Sequence, residues 1–302
     1  MANNPWRLLI TIMLALFISA CDQSSDNPKN SAASAAQTQI NDKFSAFIKA
    51  ANSESSVNFY SLPEALYHYQ QESQPQLTAN MPLTAYAVIN PSIFHNINEW
   101  LDKGLSLPGP LPQLDSAAQA YQASINKLLP LSEKLYDYQK NKGWLTDNGE
   151  LARRSDAEYV DAFNALLTQR NAFLKAISAA NSERIKIAYE NSPADSVEHY
   201  RNGIVYLSRQ ALRDLTEHRT PAEDKILNNE VETLEQLSAG WNKLIQQQGE
   251  QDCKSIIDTA NDYISVLHAA INQQAHGEEV IQENIILPFN ALVHALNSHR
   301  SC

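Results

Sequence analysis

Cys21 is the residue whose type and setting point most directly to chemistry. It follows Phe17-Ile18-Ser19-Ala20, the end of an apolar run and then two small residues, which together read as a lipobox. The chemistry is cleavage before Cys21 and acylation of its thiol. Upstream stand the single side-chain cation Arg7 and the run Leu8–Ile18, interrupted by Thr11. That run is short for a bilayer-spanning helix, which needs roughly 20 residues, so residues 1–20 read as a secretory leader. One acyl chain holds a protein only marginally, and durable anchoring takes more. Asp22 beside the acylated cysteine resembles an inner-membrane retention signal. The expected address is therefore the periplasmic face of a bacterial membrane, inner rather than outer, with the lipid on Cys21 as the membrane contact.

Two further cysteines, Cys253 and Cys302, would share that oxidising compartment. The interval between them reads as two helices, about 252–274 and 279–300, with Gly277 at the break. An antiparallel hairpin there brings both thiols to one end, so a disulfide is expected; two free thiols are the alternative. Closing a loop of that length is worth about 4 kcal/mol in the chain-entropy model.

Other reactive patterns are missing. The eight glycines are scattered and form no phosphate loop; there is no Gly-x-Ser-x-Gly elbow, Cys-x-x-Cys or His-Glu-x-x-His. His276 and Glu279 have a His-x-x-Glu spacing, but Gly277 at a predicted turn separates them and spoils a shared face. His95 and Glu99 stand one helical turn apart and suit a hydrogen bond better than a cation. His199 and His218 read as solvated surface. No catalytic residue, metal ligand or cofactor is assigned. Tyr60, Tyr67, Tyr86, Phe94 and Trp100 could line a groove for a peptide, glycan or lipid. The competing reading, that they anchor irregular chain onto helices, is favoured because large apolar residues are mostly core.

The elements that must position these residues are helical. The chain has 302 residues, 43% of them apolar, and a formal net charge of −11, one unit more negative once Arg7 leaves. Such a body repels phosphate backbones and anionic lipid, so nucleic acid is excluded as a partner. Residues 21–37 read as a lipidated flexible tether. Apolar residues then recur at helical spacing: Ile40, Phe44, Phe47, Ile48 and Ala51 form one stripe. Ser61-Leu62-Pro63-Glu64 opens a helix over about 62–71. Prolines 75, 82, 91, 108, 110 and 112 allow only a short helix, about 91–103, ending at Gly104. From Leu114 the periodicity predicts long helices broken at 144–149, at Asn191-Ser192-Pro193 and at Thr220-Pro221. No strand alternation is present. The expected fold is all-α: one antiparallel bundle over 38–302, with a proline-rich irregular segment.

Several stretches then resemble a known family. They are Asn41–Ile48; Leu114–Tyr121 with Leu128-Leu129-Pro130-Leu131; Tyr136–Trp144 with Asp147-Asn148; and Pro288–Val293 with Asn297. In order and spacing they resemble the YiiG family of bacterial lipoproteins, whose function is unknown. Phe47 stands where that pattern has tyrosine, and Gln139 where it has a second aromatic. The resemblance implies a helical, lipid-anchored envelope protein and carries over no catalytic residue. The functional expectation is a non-catalytic binding or scaffolding component with an envelope protein as partner. The alternatives are a small-molecule or metal-binding receptor and an envelope hydrolase whose residues lie apart in sequence.

Overall fold

The computed structural model describes residues 28–55, 61–79, 82–216, 221–248, 253–299 and 302. Among them the secondary structure is helical and no strand occurs. Cys21, Asp22, Tyr60 and His218 lie outside the described residues. The chain groups into two compact units that divide at Ala180.

The first unit holds α1 (Pro28–Asn52), a 3-10 turn (Ser53–Ser55), α2 (Leu62–Glu72), α3 (Gln74–Thr78), α4 (Ser92–Ser106), α5 (Pro112–Lys140), α6 (Trp144–Asp147) and α7 (Glu150–Asn191) as far as Ala180. Helix α1 begins at Pro28, within the stretch expected as a tether. That stretch contains no glycine, is rich in alanine, and has its proline in the first turn, all compatible with a helix. The start of α2 follows from its cap: Ser61 Oγ accepts from the Glu64 amide while Glu64 reaches back to the Ser61 amide at 2.8 Å. Helix α4 runs past Gly104 instead of stopping there. Gly104 is buried, and a Cβ on it would lie 2.5 Å from the Phe47 ring, so the glycine serves the close approach of α1 and α4. Helix α5 continues through Pro130.

A buried ion pair crosses this core. Arg170 on α7 donates from Nε and Nη2 to the two Glu54 carboxylate oxygens, at 2.6 and 2.7 Å, and the Tyr121 hydroxyl donates to the same carboxylate at 3.4 Å. Glu54 is 5% exposed. The carboxylate holds the guanidinium above its ordinary pKa despite burial. Phe173, one turn beyond Arg170, stacks on Tyr121 and meets Phe47 edge-on. The pair thus joins the end of α1 to α5 and α7.

The second unit takes the rest of α7 from Asn181, then α8 (Val197–Thr216), α9 (Pro221–Gln248), α10 (Lys254–Ala275) and α11 (Gln282–Ser298). Helix α8 packs on α9, α9 on α10, and α10 on α11. Their shared core includes Ile204, Leu227, Leu234, Trp241, Tyr263, Leu267 and Leu292, each at most 1% exposed. Gly277 adopts φ +72° in the turn between α10 and α11, a conformation that costs glycine nothing. At the other end of that hairpin Cys253 and Cys302 are disulfide-bonded, with 5.6 Å between their Cα atoms. Arg201 on α8 fastens the same end, donating to the Leu296 and His299 carbonyls at 2.5 and 3.1 Å.

Removing one member of a buried ion pair leaves its partner charged and unpaired, at a cost of about 3–5 kcal/mol. Arg170→Met should therefore destabilise the first unit by about that much. Glu54→Gln combined with Arg170→Met should recover a large part of the loss. Urea unfolding of the two variants measures both; equal stability of the single and double variants would show the pair to be unimportant.

Candidate functional site

In the second unit a cleft of about 400 Å³ lies along the seam of α9 and α10. Its α9 wall is Glu235, Ser238, Ala239 and Asn242, spaced i, i+3, i+4 and i+7 on one face; α10 supplies Ile257, Asn261, Ile264 and Ser265. Small side chains at Ser238, Ala239 and Ser265 keep the seam unfilled. At its floor Ser238, 1% exposed, donates from Oγ to Asn261 Oδ1 at 2.7 Å. At one end His268 Nε2 and Glu235 Oε1 are 2.8 Å apart. Ser265 Oγ donates to the Asn261 carbonyl at 2.9 Å.

This set offers hydroxyl, amide, imidazole and carboxylate groups along one groove, with apolar Ile257 and Ile264 between them. Nucleophilic catalysis requires a hydroxyl within reach of a base. Ser238 gives its proton to the Asn261 amide oxygen, and His268 pairs with Glu235. Among the described residues no group of three or more His, Cys, Asp or Glu is placed to hold a metal ion.

The residues proposed as an aromatic groove are dispersed. Tyr86 is 3% exposed, with its ring edge-on to Tyr69, Tyr138 and the tilted Trp144 at 5.7–6.4 Å. Phe94 is fully buried against Phe163. Tyr67 is exposed on α2. Trp100 is partly buried, with the Lys49 and Lys103 ammonium groups 4.5 and 5.0 Å from its ring centre. Tyr86 and Phe94 therefore belong to the core and present no open wall. The reason is periodicity: Phe94 shares the buried face of α4 with Ile97 and Leu101, and Tyr86 anchors the chain between α3 and α4.

The histidines also differ from expectation. His95 meets Glu133 of α5 at 2.9 Å, across helices, rather than Glu99 on its own helix. His199 is only partly exposed: its ring lies 4.7 Å from that of Tyr189, and Nδ1 is 3.3 Å from Ser192 Oγ. His276 is exposed in the α10–α11 turn, bonded to the Asn272 carbonyl, with Glu279 exposed beyond it.

The sequence reading passed over two polar positions. Ser238 occupies the buried stripe of α9 between Leu234 and Trp241, and a serine in that register is the visible signal. Glu230, one turn earlier than Leu234, has a buried Oε2 without a hydrogen-bond partner. Burial and then the Asp214 carboxylate push its pKa up to about 7, against a smaller pull from Arg213. A raised carboxyl pKa means the folded state keeps a proton that the unfolded chain releases near pH 4.5. Its stabilising contribution is complete below that value and is lost as pH rises through about 7. Glu230→Gln should accordingly match the wild type near about pH 4 and exceed it in melting temperature above about pH 7, the gain growing between. Parallel melting curves across that range test this; a constant offset at all pH values would contradict it.

Comparison with known proteins bears on the chain as a whole. No curated protein and no solved structure matches it. Residues 38–291 match the family model described as "Protein of unknown function (DUF3829)", a span that includes α4 to α10 in full and both walls of the cleft. The chain belongs to that family.

Proposed function

We propose that this protein is a lipid-anchored periplasmic component of the bacterial envelope, of YiiG type, that binds a partner rather than transforming a substrate. The observation that carries the binding role is the α9–α10 cleft, where Ser238 bonds Asn261 and His268 pairs with Glu235 along one groove. The cleft is open along its length, which favours an extended segment of an envelope protein over an enclosed small molecule. The anchor rests on the lipobox ending at Cys21, and Asp22 favours retention at the inner membrane. The bonded Cys253–Cys302 pair supports export, since disulfides persist in oxidising compartments. The acidic body then stands off from anionic headgroups, leaving the acyl chains as the membrane contact.

Mass measurement of protein from its native host should find the leader absent and Cys21 acylated. Intact Met1 with an unmodified Cys21 would overturn the anchor and the compartment together. For the cleft, benzoylphenylalanine at Asn242 in the cell should yield a discrete protein adduct on irradiation. The same probe at exposed Lys243 should not, and Ser238→Leu, which fills the floor, should abolish the adduct. Identical adducts from both probe positions would remove the cleft from consideration.

A further inference from the structure

The chain contains two Asn-Gly pairs, Asn148-Gly149 and Asn202-Gly203. Such a pair can modify itself with no reagent but water. The glycine amide nitrogen loses its proton and attacks Cγ of the asparagine. A succinimide ring forms, and the side-chain nitrogen leaves with a proton as ammonia. Water then opens either carbonyl–nitrogen bond of the ring, leaving aspartate or isoaspartate. Glycine is the most permissive neighbour because no Cβ crowds the attacking nitrogen. Asn202 lies inside α8, 8% exposed, with Gly203 packed against Leu237 and Tyr189. Asn148 is exposed, in the turn between α6 and α7.

The fold holds this exposed pair in an unreactive form. Asn148 stands at φ 57° and ψ 30°. That ψ turns the Gly149 nitrogen almost opposite to the Asn148 Cβ. Cyclisation needs the reacting atoms in near contact, so the Cα–C bond must first rotate. The Gly149 amide meanwhile donates to Asp147 Oδ1 at 2.9 Å, and the Leu151 amide donates to Oδ2 at 3.0 Å. The Tyr138 hydroxyl donates to the same carboxylate at 2.6 Å. Partial burial by itself would raise the Asp147 pKa, but the phenol and the amides of Leu151, Gly149 and Glu150 hold it below its ordinary value. The carboxylate is therefore charged at neutral pH and opposes loss of the Gly149 proton. Arg153 fixes the turn from outside by donating to the Asn148 carbonyl at 2.5 Å. Gly149 is buried at φ +82°, and a Cβ on it would lie 2.9 Å from Leu83, so the turn requires glycine. We propose that Asn148 is a latent modification site, which deamidates only when the Asp147 clamp opens. Either product brings a second carboxylate beside Asp147, and isoaspartate also lengthens the main chain, so the turn does not close again as before. A transient opening at the junction of α5, α6 and α7 is thereby converted into a permanent change of charge. The site lies in the first unit and does not depend on the role of the α9–α10 cleft.

The test follows full-length protein at neutral pH, in native buffer with nonionic detergent and in urea. Samples are digested at intervals, and the peptides containing Asn148 and Asn202 are quantified by mass spectrometry. In urea both asparagines should convert. In native buffer Asn202 should persist, and Asn148 should convert more slowly than in urea by about tenfold or more, the scale of one hydrogen bond to a charged group. Asp147→Ala in native buffer should speed Asn148 conversion by about tenfold, with Asn202 still intact as the sign that the helices remain folded. Tyr138→Phe, which removes one donor from the clamp and leaves Gly149 untouched, should give a smaller rise. Equal Asn148 rates in native buffer and urea, or no rise in Asp147→Ala while Asn202 persists, would overturn the proposal. If Asp147→Ala also loses Asn202, Tyr138→Phe decides: a rise at Asn148 alone supports the clamp, and an unchanged rate rejects it.

Discussion

Each long helix here carries one apolar stripe, and burying that stripe is the constraint on which everything else rests. A polar side chain is tolerated inside such a seam only where a partner meets it, since an unanswered polar group in low dielectric costs more than the helix gains by forming. The first unit meets this demand fully at its most expensive point. Glu54 and Arg170 form a two-point fork with Tyr121 alongside, and Lys43, 5% exposed, pairs with Asp115 at 2.8 Å. Around them the aromatic side chains continue the apolar face, from Phe94 through Phe163, Tyr159 and Tyr69 to Tyr86 and Tyr138. The result is a packed interior in which the polar atoms serve to fix register.

The second unit is built differently. Its last two helices form a hairpin closed at one end by Gly277 and at the other by the Cys253–Cys302 bond, with Arg201 tying α8 to the same closure. That closure reduces how much the seams must contribute, because cross-linking a loop of about 50 residues already disfavours the unfolded chain by up to about 4 kcal/mol. Within these seams Ser208 Oγ and Glu230 Oε2 are buried without a hydrogen-bond partner among the described residues, and Ser238 lines a cleft between α9 and α10. Donors and acceptors held rigidly on packed helices, with capacity to spare, are what recognition requires. The candidate cleft falls in this unit.

The family to which the chain belongs is known by sequence pattern and not by activity, so function has to be argued from sites. The features that bear on it are of two kinds. The targeting signal proposed above is a contiguous run of residues around Cys21. The candidate cleft is assembled from residues farther apart: Ser238 on α9 meets Asn261 on α10. No local motif announces that meeting.

What the amino-acid order determined by itself was whatever depends on neighbours within a turn or two. Ser61 and Glu64 capped α2, apolar spacing set the long helices from α5 onward, and Gly277 marked the hairpin that brings Cys253 to Cys302. Single-residue signals misled where a tertiary contact outweighed local preference. Gly104 reads as a helix end, yet it is a helix interior residue because Phe47 presses against it; His95 reads as a partner for Glu99, yet it reaches Glu133 on another helix. Only the folded arrangement decided which polar side chains would find partners. A stripe pattern states that a residue faces inward, but the distance and chemistry of what faces it are set by how two helices pack, and that is information no single segment contains.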